Sequence, residues 1–236
     1  MTIKGGLNGG TLASALAMSE REGPAAFVDG ILLHPPELRT EAERKRHRDD
    51  RSIRWDPELE VYTAPFVMAA VNTRVVRRSA ALLHQRGEGY GEAFTYNEFL
   101  GTRSRASAYS MAAGLAGLGL LLAGPPGRWL LRTFGPAPGE GPSEEVLDGG
   151  FTRAVHLARG SGGSSARAVL TYAGDPGNRA TLRFLVSCTR LLCGLGEDRS
   201  LGGILTPASA FGQALVDDLR AHEVSWKVAV NGANIA

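Results

Sequence analysis

The chain has 236 residues, enough for one large folded unit or two small ones with an adequate core. With 26 basic and 24 acidic residues the net charge is only +2, which excludes the global basic excess of a nucleic-acid binder. Two cysteines, Cys188 and Cys193, are too few for a disulfide framework, and their C-x4-C spacing with no histidine cluster nearby is not a zinc site. Both are expected to be reduced, buried small hydrophobes in an intracellular protein that holds no metal.

The first element is "KGGLNGGTLASALAMSE", Lys4 to Glu20, which reads as a glycine-rich turn leading into a helix. A helix from about Gly10 to Glu20 is predicted, capped by Asn8 or Thr11, with Leu12, Ala15 and Leu16 on its apolar face. The glycines suggest a phosphate site at a helix N-terminus, but Gly5, Gly6, Gly9 and Gly10 cannot be set onto G-x-G-x-x-G. No lysine follows Gly10 to make a P-loop, and only Met1 to Lys4 precede the turn. Met1 to Ser14 also lack the charged start and apolar run of a signal peptide.

Phe27 to Leu33 reads as a short apolar strand or turn. Glu37 to Arg54 alternates basic and acidic residues with almost nothing to bury, so a solvated loop is expected, the alternative being a binder of phosphate or anionic lipid. From Asp56 to Gly87, Pro65 suits the first turn of a helix. Phe66, Met68, Ala69, Val71, Val75, Val76, Leu82 and Leu83 follow at helical spacing. Arg74, Arg77 and Arg78 fall at i, i+3 and i+4, which puts three guanidinium groups on one face. They are either a grip for a carboxylate or phosphate, or a basic stripe facing solvent.

Ala106 to Ala123 is 18 residues without a charge, at the short end of the about 17 to 25 that a membrane-spanning helix needs. Gly114, Gly117 and Gly119 weaken it as a helix in water, and Arg103, Arg105, Arg128 and Arg132 flank it. A buried or partner-covered hairpin helix, a lipid-surface attachment and a true span all fit. Gly135 to Gly150 is dense in proline and glycine and is predicted to exclude helix. Its Glu140, Glu144 and Glu145 are either catalytic carboxylates or simply an acidic loop.

Phe151 to Ala158 and Ala166 to Tyr172 read as the two strands of an antiparallel hairpin joined by "RGSGGSS". The turn "GDPGN" leads to a helix from about Arg179 to Cys193, with Leu182, Leu185, Val186 and Thr189 at helical spacing. A last helix, Pro207 to His222, has Thr206 as N-cap, Pro207 at its first position and a buried face of Ala210, Ala214, Leu215 and Leu219. Residues 223–236 read as a tail, partly disordered.

Several of these segments together resemble the saccharopine dehydrogenase-like oxidoreductases, the group that also contains the trans-acting enoyl reductases. The matching pieces, in order, are "GGTLASAL" from Gly9, "APFVMAAVNTRVVRRSAAL" from Ala64, "YGEAFTYNEF" from Tyr90, "PGEGPSEE" from Pro138, "GDPGNRAT" from Gly174 and "GGILTPASAFGQALVDDLR" from Gly202. Each piece is weak alone; their shared order over most of the chain makes the likeness specific. Tyr62 stands where the family usually has a tryptophan, and the loop Glu37 to Arg54 is expanded.

The resemblance implies a mixed α/β fold in which residues 1–222 are the family's C-terminal substrate and oligomerisation domain, a mixed sheet covered by helices. It implies a nicotinamide-dependent oxidoreductase, with NAD or NADP, acting on a hydrophobic or lipid-linked substrate. The cofactor would not be bound by this chain alone, because the nucleotide-binding domain is expected upstream of these residues. Asn8, Gly9, Gly10, Thr11, Asn72, Arg74 and Arg77 are then the candidate substrate or phosphate contacts. No residue stands out as a general acid, although Tyr90 and Tyr96 are candidates. Paired molecules, forming a homodimer through the hairpin sheet, are also implied, as is a cytoplasmic location with membrane or lipid-droplet association through Ala106 to Ala123. The competing function is a catalytically inactive membrane or lipid-droplet interaction module.

Overall fold

The structure is a computed structural model, which describes residues 2–4, 8–23, 28–195 and 202–234. In chain order the elements begin with β1 (Thr2–Lys4), α1 (Gly9–Arg21), a 3-10 turn (Pro36–Leu38), α2 (Glu41–Arg46), β2 (Trp55–Asp56) and β3 (Val61–Pro65). Next come α3 (Ala69–Gln85), β4 (Phe99–Thr102), α4 (Arg105–Ala123), α5 (Pro125–Phe134), α6 (Glu144–Asp148), β5 (Phe151–Arg159) and β6 (Ser165–Ala173). A single π turn (Pro176–Ala180) then leads to α7 (Thr181–Gly194), α8 (Pro207–Phe211), α9 (Gln213–Ala221), β7 (Ser225–Val230) and β8 (Ala233–Asn234). The predicted mixed α/β class holds, and both sheets among the described residues are antiparallel.

The chain folds into two compact units, one of residues 1–7, 141–203 and 210–236, the other of residues 8–140 and 204–209. The first is built on a five-stranded sheet of order β1-β5-β6-β7-β8. β5 and β6 form the predicted hairpin, in a register that sets Ala154 against Leu170 and His156 against Ala168. α7 and α9 cover one face, where Leu170, Leu219 and Val224 are buried and Ala154, Tyr172, Phe184, Leu215 and Trp226 pack around them. Asp175 is wholly buried and accepts from the backbone N–H groups of Gly177, Asn178 and Arg179, which fixes the start of the turn before α7.

Five expectations are corrected here. Residues 225–230, read as part of a partly disordered tail, form β7, because Val224, Trp226 and Val228 recur at a period of two and Trp226 pairs with Leu170. Gly135 to Gly150 contains a helical turn, α6, which starts after Ser143 and carries two glutamates at its N-terminus. The face of α7 formed by Leu182, Leu185 and Val186 is exposed at 55%, 61% and 42%, and the helix buries Ser187 instead. Cys193 is exposed and only Cys188 is half-buried, both as free thiols. The single C-terminal helix is two, broken at Gly212, whose φ of 51° and ψ of −127° no ordinary L-residue adopts comfortably.

The second unit carries a small sheet of order β2-β3-β4 with α1 to α5. Pro65 ends β3 and α3 starts at Ala69, so the proline is the last residue of a strand rather than the opening of a helix. α4 and α5 make a helical hairpin. Gly124 is extended between them, and Pro125 and Pro126 open α5. A side chain at Gly127 would put its Cβ at 2.3 Å from the carbonyl oxygen of Leu121, so the close approach of the two helices requires glycine there. The hairpin is tied to α1 by Ser19, which donates to the carbonyl of Leu122 at 2.6 Å, and by Glu20, which meets Arg132 at 2.6 Å.

Candidate functional site

The seven candidate contacts fall on two helices. Asn8 is the N-cap of α1, its side chain accepting from Gly10 N–H at 3.2 Å while its carbonyl accepts from Thr11 and Leu12. Gly9 donates to the carbonyl of Glu140 at 3.0 Å. A Cβ on Gly9 would lie 2.0 Å from the carbonyl oxygen of Ala137, so this glycine serves the packing of residues 136–140 against α1. The four N–H groups that a pyrophosphate would need are therefore engaged within the chain, and the oxygens of Ala137 and Glu140 stand beside them. The strand ahead of them, β1, pairs antiparallel with β5. These residues do not fit a nicotinamide dinucleotide, which needs a free helix N-terminus after a parallel strand.

Asn72, Arg74 and Arg77 lie on α3 and belong to a buried polar cluster. Arg74 and Arg77 are 2% and 1% exposed. Both meet Asp49, Arg74 Nη1 at 2.7 Å from Oδ2 and Arg77 Nη1 at 2.9 Å from Oδ1. Main-chain oxygens take further donors, Arg74 Nε that of Asp29 at 3.1 Å, Arg77 Nη1 that of Gly30 at 3.2 Å and Arg77 Nη2 that of Tyr96 at 2.8 Å, and the side chains of Thr73 and Asn97 accept as well. Two guanidinium groups thus knit the turn at residues 29–30, Asp49 and the segment before β4 onto one helix. Burial pulls Arg77 below its ordinary range, while Asp49 opposes that shift.

The third arginine behaves differently. Arg78 donates to the carbonyls of Leu33 and Ile204, the latter at 2.7 Å. The expected common face of three guanidiniums therefore resolves into two buried groups and one at the edge.

Above Arg77 lies a half-buried trio. Tyr96 donates its phenol to Glu98 Oε1 at 2.9 Å, and Asn72 donates its amide to Oε2 at 3.0 Å. Burial raises Glu98 above the usual carboxylate range, against the hydrogen bonds from Asn72 and Tyr96. Burial and the carboxylate beside it also push the Tyr96 phenol up. A carboxyl that holds its proton more tightly than usual, hydrogen-bonded to a phenol and oriented by an amide, is suited to delivering or accepting a proton. Tyr90 is 62% exposed and rests on Phe94. Of the acidic-loop candidates, Glu140 accepts from Ala137 N–H, and Glu144 pairs with Arg179.

Sequence reasoning missed Asp49 and Glu98. Asp49 lies in the stretch taken for a solvated loop, which in fact contains a 3-10 turn, α2 and the buried His47. The signal was present: Asp49 and Asp50 end a basic run just before a strand, and Tyr96 and Glu98 are two residues apart ahead of β4, so both side chains leave the chain on the same side.

Beneath the arginine cluster, His34 and His47 are 3% and 5% exposed, with their rings in edge contact at 5.3 Å. Neither nitrogen of His34 has a hydrogen-bond partner among the described residues, and His47 Nε2 faces Glu43 at 3.2 Å. Burial lowers both to about 4; at His34 the charges of His47, Arg77 and Arg39 add to the effect and Glu43 opposes it, and at His47 the charges of Arg77 and Arg46 add to it.

No family model matches the chain, and no solved structure matches it. Among curated proteins, it is 34% identical over 95% of its length to a Mycobacterium tuberculosis (strain H37Rv) protein provisionally named a trans-acting enoyl reductase, of which it spans 57%. It is 32% identical over 78% of its length to the trans-acting enoyl reductase of Mycobacterium leprae, spanning 44% of that protein. To the Mycobacterium ulcerans enzyme of the same name it is 34% identical over 68% of its length, spanning 40%. The chain thus spans about half the length of the curated relatives it matches, and its similarity to the trans-acting enoyl reductases, which runs along nearly all of it, supports that family.

Proposed function

We propose that this chain is the substrate-side portion of an enoyl-reducing oxidoreductase that acts on a hydrophobic, lipid-linked acyl substrate. The observation that carries the reading is its similarity, over 95% of its length, to proteins named as trans-acting enoyl reductases. Reducing a carbon–carbon double bond conjugated to a carbonyl adds a hydride to one carbon and a proton to its neighbour. The described residues suit the proton's side of that reaction: burial raises Glu98 as a proton acceptor, Tyr96 donates to one of its oxygens, and Asn72 donates to the other and fixes the carboxyl. The hydride donor, a nicotinamide of the NAD or NADP class, is not assigned to the start of α1, whose N–H groups are engaged. The apolar surface of α4 and α5 offers a bed for the acyl chain, with Leu120, Trp129 and Phe134 exposed at 77%, 62% and 75%.

Two titrations of the purified chain, followed by tryptophan fluorescence, test this reading. A long-chain α,β-unsaturated acyl thioester is expected to bind, and NADPH and NADH are not. Absence of thioester binding overturns the substrate-side reading. Micromolar binding of NADPH would make Asn8, Gly9, Gly10 and Thr11 a phosphate site after all and overturn the division of labour.

One observation favours a second reading, that the chain is an inactive lipid-surface module. α4 is long and apolar enough to cross a membrane, and only 6% of that stretch is buried within the chain. Flotation with liposomes that disappears when residues 105–123 are deleted supports it; flotation that persists rules that helix out as the anchor.

A further inference from the structure

We infer that Arg77 is a positioning residue for the trio of Tyr96, Glu98 and Asn72, an inference that rests on the proton role proposed for Glu98. Residues 95–98 lie outside any helix or strand, just ahead of β4, so no ladder of their own fixes where Tyr96 and Glu98 sit. They take their place from α3 instead. Three consecutive residues each accept from that helix: the carbonyl of Tyr96 from Arg77 Nε at 3.2 Å and Nη2 at 2.8 Å, Oδ1 of Asn97 from Arg77 Nη2 at 3.2 Å, and Oε2 of Glu98 from Asn72 at 3.0 Å. Two of the three attachments come from one guanidinium.

That guanidinium is itself fixed. It is 1% exposed, and its Nη1 donates to Asp49 Oδ1 at 2.9 Å and to the carbonyl of Gly30 at 3.2 Å. Asn97 Oδ1 also accepts from the backbone N–H of Asp50 at 3.1 Å, so the residue after Asp49 grips the same segment. A planar fork of five donors can hold Asp49 on one side and Tyr96 and Asn97 on the other; a lysine ammonium, a single point on a flexible stem, cannot do both. Without the fork, Tyr96 and Glu98 would drift with their backbone, and proton transfer between heavy atoms about 2.6 to 3.2 Å apart tolerates little drift.

Arg77 also acts on the carboxyl through its charge. That charge opposes the upward push that burial gives Glu98 and Tyr96, and Glu98 in return helps to keep Arg77 protonated. Arg74 supplies the internal comparison. It is buried almost as deeply, at 2%, and meets the same Asp49, and it bonds Asp29, Ala69 and Thr73. A role limited to bracing the fold would make the two arginines equivalent.

The test follows the Glu98 carboxyl by NMR in the full chain carrying isotope-labelled glutamate, with Glu98→Gln identifying its signal. This titration needs neither cofactor nor substrate. Arg77→Gln should raise the Glu98 midpoint, and Arg74→Gln should move it less than half as far. In an enoyl-thioester turnover assay, Arg77→Lys should lower kcat at least about tenfold with KM within about twofold, and Arg74→Lys should change kcat by less than about twofold. The lysine pair keeps the buried charge and carries the comparison if the glutamine variants fail to fold. Equal effects of the Arg74 and Arg77 variants, or a Glu98 midpoint that Arg77→Gln leaves in place, overturn the inference while the proton role of Glu98 stands. Unchanged turnover in Glu98→Gln overturns that role, and the inference falls with it.

Discussion

Lowering the pH from 7 to 5 should destabilise the unit that holds His34 and His47. Both are neutral in the folded protein down to about pH 4, whereas an unfolded chain's histidine takes up a proton near pH 6.5. A histidine whose folded pKa is depressed contributes stability that is full above the unfolded value. That contribution is lost as pH falls through the window from about 6.5 to about 4. At pH 5 the unfolded form is favoured by about 2 kcal/mol per histidine relative to pH 7, so about 3 to 4 for the pair once their mutual coupling is allowed for. That is a large part of the about 5 to 15 kcal/mol that holds a typical domain.

The groups facing the pair are Glu43, Arg39, Arg46 and Arg77. The three arginines keep their charge throughout, so protonated histidines would meet like charge on most sides. Urea unfolding at both pH values measures the loss. His34→Phe supplies the control, because the His34 nitrogens have no partner to lose among the described residues and phenylalanine fills a similar space. The variant should retain its pH 7 stability to within about 1 kcal/mol and lose about half as much as the parent on acidification. If parent and variant lose equal stability between pH 7 and 5, or the parent loses none, the reasoning is wrong.

Asp49→Asn removes the carboxylate that the buried Arg74 and Arg77 both meet and should cost about 3 to 5 kcal/mol by urea denaturation. Charge-neutral replacement of Arg74 and Arg77 together with Asp49 should recover much of that loss. Gly9→Ala places a methyl group against the carbonyls of residues 136 and 137 and should cost about 1 to 3 kcal/mol, or shift that loop, readable by hydrogen exchange at Glu140. Glu98→Gln should leave thermal stability nearly unchanged while removing the titratable carboxyl. In an enoyl-thioester turnover assay its rate should fall about 10²-fold or more, and Glu98→Asp should restore part of it.

The β5–β6 hairpin, α1 and the capped start of α8 were legible because each rests on local chemistry. Alternation, an Asn8 cap and a Thr206–Pro207 start are read within a few residues. The site was legible only in part. Arg74 and Arg77 could be placed on one face of a helix, but what that face meets is Asp49, which is close to them only in the fold. Helical spacing of valines suggested an apolar buried face on α3. The residues it buries are Thr73, Arg74, Arg77, Ser79 and Ala80, because each polar member finds a partner and so escapes the penalty that pattern reading assumes. α7 failed in the opposite sense: its apolar stripe is real in the sequence and exposed in the fold, so periodicity identified a helix but not which side faces inward.

The way the chain threads its two units bears on how it could be made in pieces. β1 at residues 2–4 is sewn to residues 151–153 of β5, so the sheet cannot close at that edge until everything through residue 153 has been synthesised. The other unit waits longer still: Ser79 and Arg86 on α3 take their partners from Thr206 and Ser209. A fragment cut at residue 140 would emerge with those groups unmatched, and a peptide carrying residues 204–209 should rescue it in trans. For this fold, autonomy follows spatial neighbours rather than contiguous sequence.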